Sequence, residues 1–235
     1  SLAAALIRHS NAMYYIEELY DFLDRLKDNN NRPWFEANRP QYERLRALWL
    51  DDIDRMIRLM SEWDSSLAAQ TARSSAYRIY RDTRFSHDKT PYKTFFSAAV
   101  CRGGRKSHYA GYYIEIGNAV SFDQGLYGGL WCPDSAILKK LRHAIVDNIE
   151  EWEEIVGAPA MQRDFPGWCS STLKTIPKGW DRNHPQAEYL RMTDYGKFRA
   201  LDRRFFLDPA WPEKAARLFS TLAPFVNFLN YSIDE

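Results

Sequence analysis

The fold class is decided by residues 95–122, FFSAAVCRGGRKSHYAGYYIEIGNAVSF. Two segments within it, residues 95–101 and 109–116, contain the aromatic and β-branched residues that favour strands. Gly103 and Gly104 lie between them, and paired glycines are typical of a turn. These two segments are therefore predicted to be strands joined by a short turn.

The next turn signal extends the strand pattern. Gly117-Asn118 ends the second segment, and residues 119–122 are predicted as the return strand of a hairpin with a two-residue turn. Gly125, Gly128 and Gly129 follow. Because glycine is conformationally permissive, these three positions are predicted to form a flexible loop that leads into a helix.

Upstream of this stretch the apolar residues recur at helical spacing. One helix is predicted over about residues 14–28 and ends at the three asparagines 29–31, because Asn tolerates a helix terminus. A second is predicted from Pro33 to about residue 63, with Pro40 expected to break or kink it. Residues 77–80 alternate in side-chain character, which predicts a further strand.

Downstream, helical spacing returns. A helix is predicted over about residues 134–149 with Asp134 as a plausible N-cap, and a short separate one over 152–156. Residues 158–185 are rich in Pro, Gly and Trp and are predicted to be loop with brief strands. Residues 198–207 are expected to return to the sheet, and residues 212–229 to form the closing helix.

This order of elements predicts an α+β fold with a mostly antiparallel sheet flanked by N-terminal and C-terminal helices. Residues 13–235 are expected to form a single domain, and residues 1–12 a tag or disordered leader. The chain has 235 residues, 27% charged and 45% apolar, which is typical of a soluble globular protein.

Composition also excludes several classes of protein. No apolar run approaches the roughly 20 residues of a membrane span, so no membrane association is expected. Three separated cysteines without a Cys-x-x-Cys pair argue against a disulfide framework and favour a reducing cytoplasm. The histidines and carboxylates show no ligand spacing, so no metal or cofactor is expected. Oligomeric state is left open.

The most unusual composition lies in residues 78–93. Across residues 73–106 nine cations face two carboxylates, a net charge of +7, which leaves −6 for the rest of a chain whose total is +1. Guanidinium groups hold phosphate or carboxylate through paired hydrogen bonds. A local positive field in a nearly neutral protein favours a small anionic ligand over long duplex DNA.

Each residue of this candidate site is given a role. The proposed ligand-binding residues are Arg78, Arg81, Arg84, Lys89, Lys93, Gly128 and Gly129, the glycines forming either an anion cradle before a helix or an ordinary turn. Asp82, Asp88 and Tyr92 are assigned to structural support. If chemistry follows binding, His87 or Asp88 is the candidate proton carrier and Arg84 the candidate stabiliser of negative charge. Whether the protein is an enzyme stays open.

Two alternatives remain for the same segment. The first is an interaction module for nucleic acid or protein, in which a basic face presents Tyr80, Tyr92 and Tyr109 as stacking surfaces. The second is architectural, a clasp in which every guanidinium has a carboxylate or carbonyl partner within the protein. A concave pocket with inward-pointing arginines would favour ligand binding over both.

The charged string also resembles the hallmark of a known family, the one catalogued as domain of unknown function 2461. The resemblance rests on Arg78-x-x-Arg81-Asp82-x-Arg84-Phe85-Ser86-x-Asp88-Lys89-x-Pro91-Tyr92-Lys93. It extends to Trp34-Phe35, Gly111-Tyr112-Tyr113, Gly128-Gly129-Leu130-Trp131, Pro177-Lys178-Gly179 and His184-Pro185. It implies an intracellular α+β protein of about this length and supplies no catalytic residue.

Overall fold

Four antiparallel strands form a meander at the centre of the protein, in the order β1-β2-β3-β4. The computed structural model describes residues 13–117 and 124–235. The strands are β1 (Phe95–Cys101), β2 (Gly111–Gly117), β3 (Gly125–Leu130) and β4 (Tyr195–Ala200). The first two confirm the strands predicted from the sequence. The predicted return strand at 119–122 lies outside the described residues.

The third strand corrects the predicted glycine loop. Gly125, Gly128 and Gly129 all lie in β3, which is buried along its whole length. A Cβ on Gly128 would lie 2.4 Å from Leu222 Cδ1, and one on Gly129 would lie 2.0 Å from the Tyr195 carbonyl oxygen. Glycine is therefore required here for close packing within a sheet. No flexible loop ahead of a helix exists at these positions.

The N-terminal helices are α1 (Tyr15–Asp28), α2 (Arg32–Ser61) and α3 (Ala72–Ser75). The side chain of Asn31 caps α2 by accepting a hydrogen bond from the Trp34 amide at 2.9 Å. Of the predicted break or kink at Pro40, the break is wrong, because α2 continues through it. Pro40 and Glu36 are both exposed, so water can bind the Glu36 carbonyl that loses its helical partner.

The C-terminal helices lie before and after β4 in the chain. Asp134 caps the first of them through the Ile137 amide at 2.8 Å, as its position predicted. The segment predicted as sheet over 198–207 divides into the end of β4 and a short helix that Asp202 caps. These helices are α4 (Ser135–Asp147), α5 (Ile149–Val156), α6 (Pro159–Asp164), α7 (Ala187–Arg191), α8 (Arg203–Leu207) and α9 (Trp211–Asp234).

The two long helices α2 and α9 cover one face of the sheet. On that face Phe96 packs edge-on against Trp49, with ring centroids 5.5 Å apart, and Tyr112 packs against Phe219 at 5.4 Å. Side chains alternate along each strand, so Ala99 and Tyr113 point to the opposite face. That second face carries the cleft described below.

Connecting segments contact both outer strands of the sheet. At β1 the Tyr77 amide donates to the Ser97 carbonyl at 3.0 Å. At β4 the Cys169 amide donates to the Gly196 carbonyl at 2.9 Å, and the Gly196 amide donates to Ser170 Oγ. The predicted strand at 77–80 is wrong, because Tyr80 pairs with Tyr92 within its own segment and leaves the sheet.

None of the helices in the described part of the chain combines the length and apolarity required to traverse a lipid bilayer.

Candidate functional site

The charged loop, residues 78–93, is held together by its own cations. The Arg81 guanidinium donates to the carbonyl oxygen and to Oγ1 of Thr90, both at 2.8 Å, and lies 3.3 Å from the Asp88 carboxylate. Hydrogen bonds from the Thr90 amide and hydroxyl, with the Arg81 charge behind them, hold the pKa of Asp88 below its usual range. Arg81 thus joins the two ends of the loop.

Two more of the predicted ligand-binding cations, Arg84 and Lys89, have partners within the charged loop. Arg84 forms a two-point ion pair with Asp82, at 3.0 and 2.7 Å, which lowers the pKa of Asp82 to about 2. Lys89 Nζ donates to the Thr83 carbonyl at 2.8 Å. These pairs fit the clasp interpretation of the charged loop.

The remaining predicted site residues have separate surroundings. Tyr92 is buried and stacks on Phe35 with a centroid distance of 4.1 Å, and its backbone exchanges two hydrogen bonds with Asn30, so it anchors the loop instead of offering a stacking surface. His87 is exposed, with no hydrogen bond or ring contact to the described residues. Gly128 faces Leu222 within β3.

We expect Arg81→Ala to destabilise the protein by about 1–3 kcal/mol, because the Thr90 groups lose a charged, half-buried donor. The free energy of urea unfolding and faster amide hydrogen exchange within the loop would measure this loss. Arg84→Ala is the matched control, since its exposed ion pair contributes little to stability. Equal effects of the two variants would contradict this assignment.

A cleft of about 500 Å³ lies on the second face of the sheet. Its floor is formed by strand residues with small or absent side chains, such as Ala99, Gly111 and Gly129. Its walls are aromatic, and this aromatic cleft is lined by Tyr77, Tyr109, Tyr113, Tyr127, Trp131 and Phe198. Flat rings around a concave surface are typical of sites that bind planar small molecules.

Lys93 and Arg105 lie beside Tyr77 at one corner of this cleft, and the charge of the exposed Arg78 acts on Lys93. These three residues are called the cationic corner. Lys93 Nζ lies 5.5 Å and the Arg105 guanidinium 5.8 Å from the centre of the Tyr77 ring. Lys93 donates to the Arg78 carbonyl at 2.8 Å, and Arg105 donates to the Ser74 carbonyl at 3.1 Å. Burial, and then the charges of Arg78 and Arg105, lower the pKa of Lys93.

These three cations differ from the rest of the charged loop in one respect. Among residues 13–117 and 124–235, none of them forms an ion pair with a carboxylate, and the Arg78 guanidinium has no hydrogen-bond partner. Arg105 lines the cleft directly. The cationic corner therefore carries positive charge without an ion-pair partner, beside a cleft whose lining also includes one carboxylate, Asp134.

A buried acid lies behind the cleft wall. The Tyr113 hydroxyl donates to Glu115 Oε1 at 2.6 Å, and the Ser97 hydroxyl is hydrogen-bonded to the same phenol. Glu115 is only 2% exposed, and burial raises its pKa to about 7 although the Tyr113 hydrogen bond acts in the opposite direction. Its Oε2 is buried without a hydrogen-bond partner in the described structure.

Sequence reasoning missed Glu115 and Tyr113 and did not single out Arg105. The signal for Glu115 was a lone carboxylate within the apolar run Tyr112–Ile116, at a position that shares a strand face with Tyr113. A glutamate is rarely fully buried unless it is paired with another group. No group of three or more His, Cys, Asp or Glu suited to a metal ion occurs in the described ranges.

Comparison with known proteins identifies the family. A family described as "Conserved hypothetical protein (DUF2461)" matches residues 18–228, which includes every strand, the charged loop and the cleft. Comparisons with curated proteins and with solved structures gave no match. Because the match covers most of its 235 residues, the chain belongs to this family of conserved hypothetical proteins, DUF2461.

Proposed function

We propose that the protein binds a small anionic ligand with a flat apolar part. The phosphate or carboxylate of this ligand would lie at the cationic corner, and its flat part would lie between the rings of the aromatic cleft. The predicted ligand set thereby changes: Arg78 and Lys93 are retained, Arg105 is added, and Arg81, Arg84 and Lys89 act within the loop.

One observation carries this proposal: Arg105 lines the cleft, Lys93 lies beside its Tyr77 wall with Arg78 near it, and none of the three has a carboxylate partner among the described residues. Confining like charges at one place costs free energy, and an anion from outside would remove that cost. Arg78 and Arg105 have guanidinium groups that can hold two oxygens of one phosphate or carboxylate. The aromatic rings supply apolar contact for the rest of the ligand.

Calorimetric titration with phenyl phosphate and with phenylpyruvate tests the proposal and separates a phosphate from a carboxylate ligand. We expect Arg105→Ala and Arg78→Ala each to weaken binding about tenfold or more, because each removes charge-assisted hydrogen bonds to the anion. Arg84→Ala serves as the control, because its guanidinium already binds Asp82. Unchanged affinity in Arg105→Ala, or an equal loss in Arg84→Ala, would contradict the proposal.

A second candidate function is binding of single-stranded nucleic acid or protein by the charged loop. It is favoured by Phe85, which is 95% exposed and lies 5.8 Å from the Arg84 guanidinium, and by the exposed ring of Tyr80. Affinity for single-stranded RNA that falls steeply with salt and is lost in Phe85→Ala would favour this candidate.

We also propose a cytoplasmic location, supported by the three free thiols of Cys101, Cys132 and Cys169.

A further inference from the structure

Tyr113 connects the aromatic cleft with the buried carboxyl group of Glu115. The two residues are two positions apart on β2, so both side chains lie on the cleft face of the sheet. The Tyr113 ring lines the cleft, whereas its hydroxyl lies 2.6 Å from Glu115 Oε1. The Tyr113 hydroxyl therefore links a residue of the cleft wall to a buried carboxyl group.

Stability of the fold does not explain this arrangement. A buried carboxyl oxygen without a partner costs free energy, and an apolar side chain at position 115 would avoid that cost. In the register, Ser97 on β1 and Gly125 on β3 lie opposite Glu115, and neither carries a charge. Within the described residues, the pKa of Glu115 is shifted by burial and by the Tyr113 hydrogen bond. Unpaired buried acids of this kind are characteristic of functional sites.

We propose that the cleft is an acid–base catalytic site, in which Tyr113 exchanges a proton with the bound ligand and Glu115 is the positioning residue that takes up the phenolic proton. This inference rests on the proposed function, because it uses the same cleft and the same anionic ligand. The substrate class it implies is an anion with an acidic C–H next to a carbonyl group, as in an aromatic 2-oxo acid.

The proton transfer balances without any other reactant. The C–H bond of the ligand breaks, its electron pair stays on the ligand as an enolate, and the proton moves to the Tyr113 oxygen. At the same time the original Tyr113 proton moves to Glu115 Oε1, which neutralises the carboxylate. The enolate is stabilised by the cationic corner, which already faces the anionic end of the ligand. Reversal of the same steps returns a proton to the face of the enolate from which Tyr113 removed it.

Deuterium exchange into the benzylic position of phenylpyruvate, followed by proton NMR in heavy water, tests the inference. At saturating probe we expect the wild-type protein to accelerate exchange above the buffer rate and Tyr113→Phe to lower it about a hundredfold, the size of effect typical of a general acid–base group. Tyr231→Phe is the matched control, because Tyr231 is 68% exposed on α9 and is not among the residues that line the cleft.

Glu115→Gln separates catalysis from a structural role. The wild-type exchange rate should rise with pH as Glu115 ionises near 7, whereas the variant should lose at least tenfold in rate and show no such rise. Exchange in Tyr113→Phe or Glu115→Gln at the wild-type rate would overturn the inference, and so would a pH profile that Glu115→Gln leaves unchanged.

Binding measurements distinguish failure of the acid–base inference from failure of the proposed function. If wild-type protein binds phenylpyruvate but exchanges it no faster than buffer does, the acid–base inference fails and the proposed function stands. If wild-type protein does not bind phenylpyruvate, the inference fails with the carboxylate form of the proposed function, and phenyl phosphate then decides whether the cleft binds anions at all. Loss of binding in Arg105→Ala with exchange intact in Tyr113→Phe would support only the proposed function.

Discussion

Replacing Gly129 with alanine is expected to destabilise the protein by roughly 3–5 kcal/mol. The new Cβ would lie 2.0 Å from the Tyr195 carbonyl oxygen and 2.9 Å from the Gly196 Cα, so β3 and β4 would have to separate. Gly129 also has a φ of +136°, a conformation that side-chain-bearing residues rarely adopt. The midpoint of urea unfolding would measure the loss, and separation of these strands would also deform the floor of the cleft.

Gly179→Ala provides the control for this substitution. Gly179 has a φ of +101° but no atom within 4 Å of the position a Cβ would take, so alanine there introduces backbone strain without a clash. We expect a clearly smaller loss of stability. A Gly129→Ala protein as stable as Gly179→Ala would show that Gly129 lies in a loop, as the sequence suggested, and not in a tightly packed strand.

Glu115→Gln is expected to stabilise the protein above neutral pH. Burial raises the pKa of Glu115 from an ordinary value of 4.5 to about 7 in the folded state. Between these values the folded protein binds more protons than the unfolded chain, so wild-type stability falls as pH rises through this window. At about 1.4 kcal/mol per pKa unit, the buried carboxylate costs roughly 3–4 kcal/mol above pH 7, and glutamine avoids that cost.

The measurement is the free energy of unfolding of both proteins from pH 4.5 to pH 8. The difference should be small at the acidic end, grow through the window and level off above pH 7. Glu153→Gln, on an exposed face of α5, is the control and should follow the wild-type curve. A constant difference between Glu115→Gln and wild type at all pH values would mean that Glu115 does not titrate in this range.

The elements that could be predicted are those whose side chains form a regular apolar, aromatic or branched pattern. β1 and β2 carry aromatic and branched residues whose strand character is visible, and the long helices show a clear apolar period. β3 was missed because three of its six residues are glycine, and a strand without side chains shows no alternation. Residues 198–207 were predicted as one sheet segment because β4 and α8 are both rich in aromatic and basic residues.

The candidate site was only partly predictable, because the composition of a segment does not show where its side chains point. The surplus of positive charge was visible in the sequence. The partners of Arg81, Lys89 and Lys93, however, include backbone carbonyls, and every residue type has a backbone carbonyl, so the sequence cannot identify these partners. Arg105 lies 12 residues beyond the charged loop, and its approach to Tyr77 depends on the register of the sheet. Glu115 was detectable from strand alternation alone.

The hydrogen bonds at the two outer strands have a consequence for self-association. An open sheet exposes rows of unused amides that can template pairing with another chain and lead to aggregation. Here the segment at Tyr77 covers part of the outer edge of β1. On β4, Cys169 and Ser170 form hydrogen bonds with both backbone groups of Gly196. We therefore expect the protein to resist domain swapping and fibril formation through these edges, even when it is concentrated.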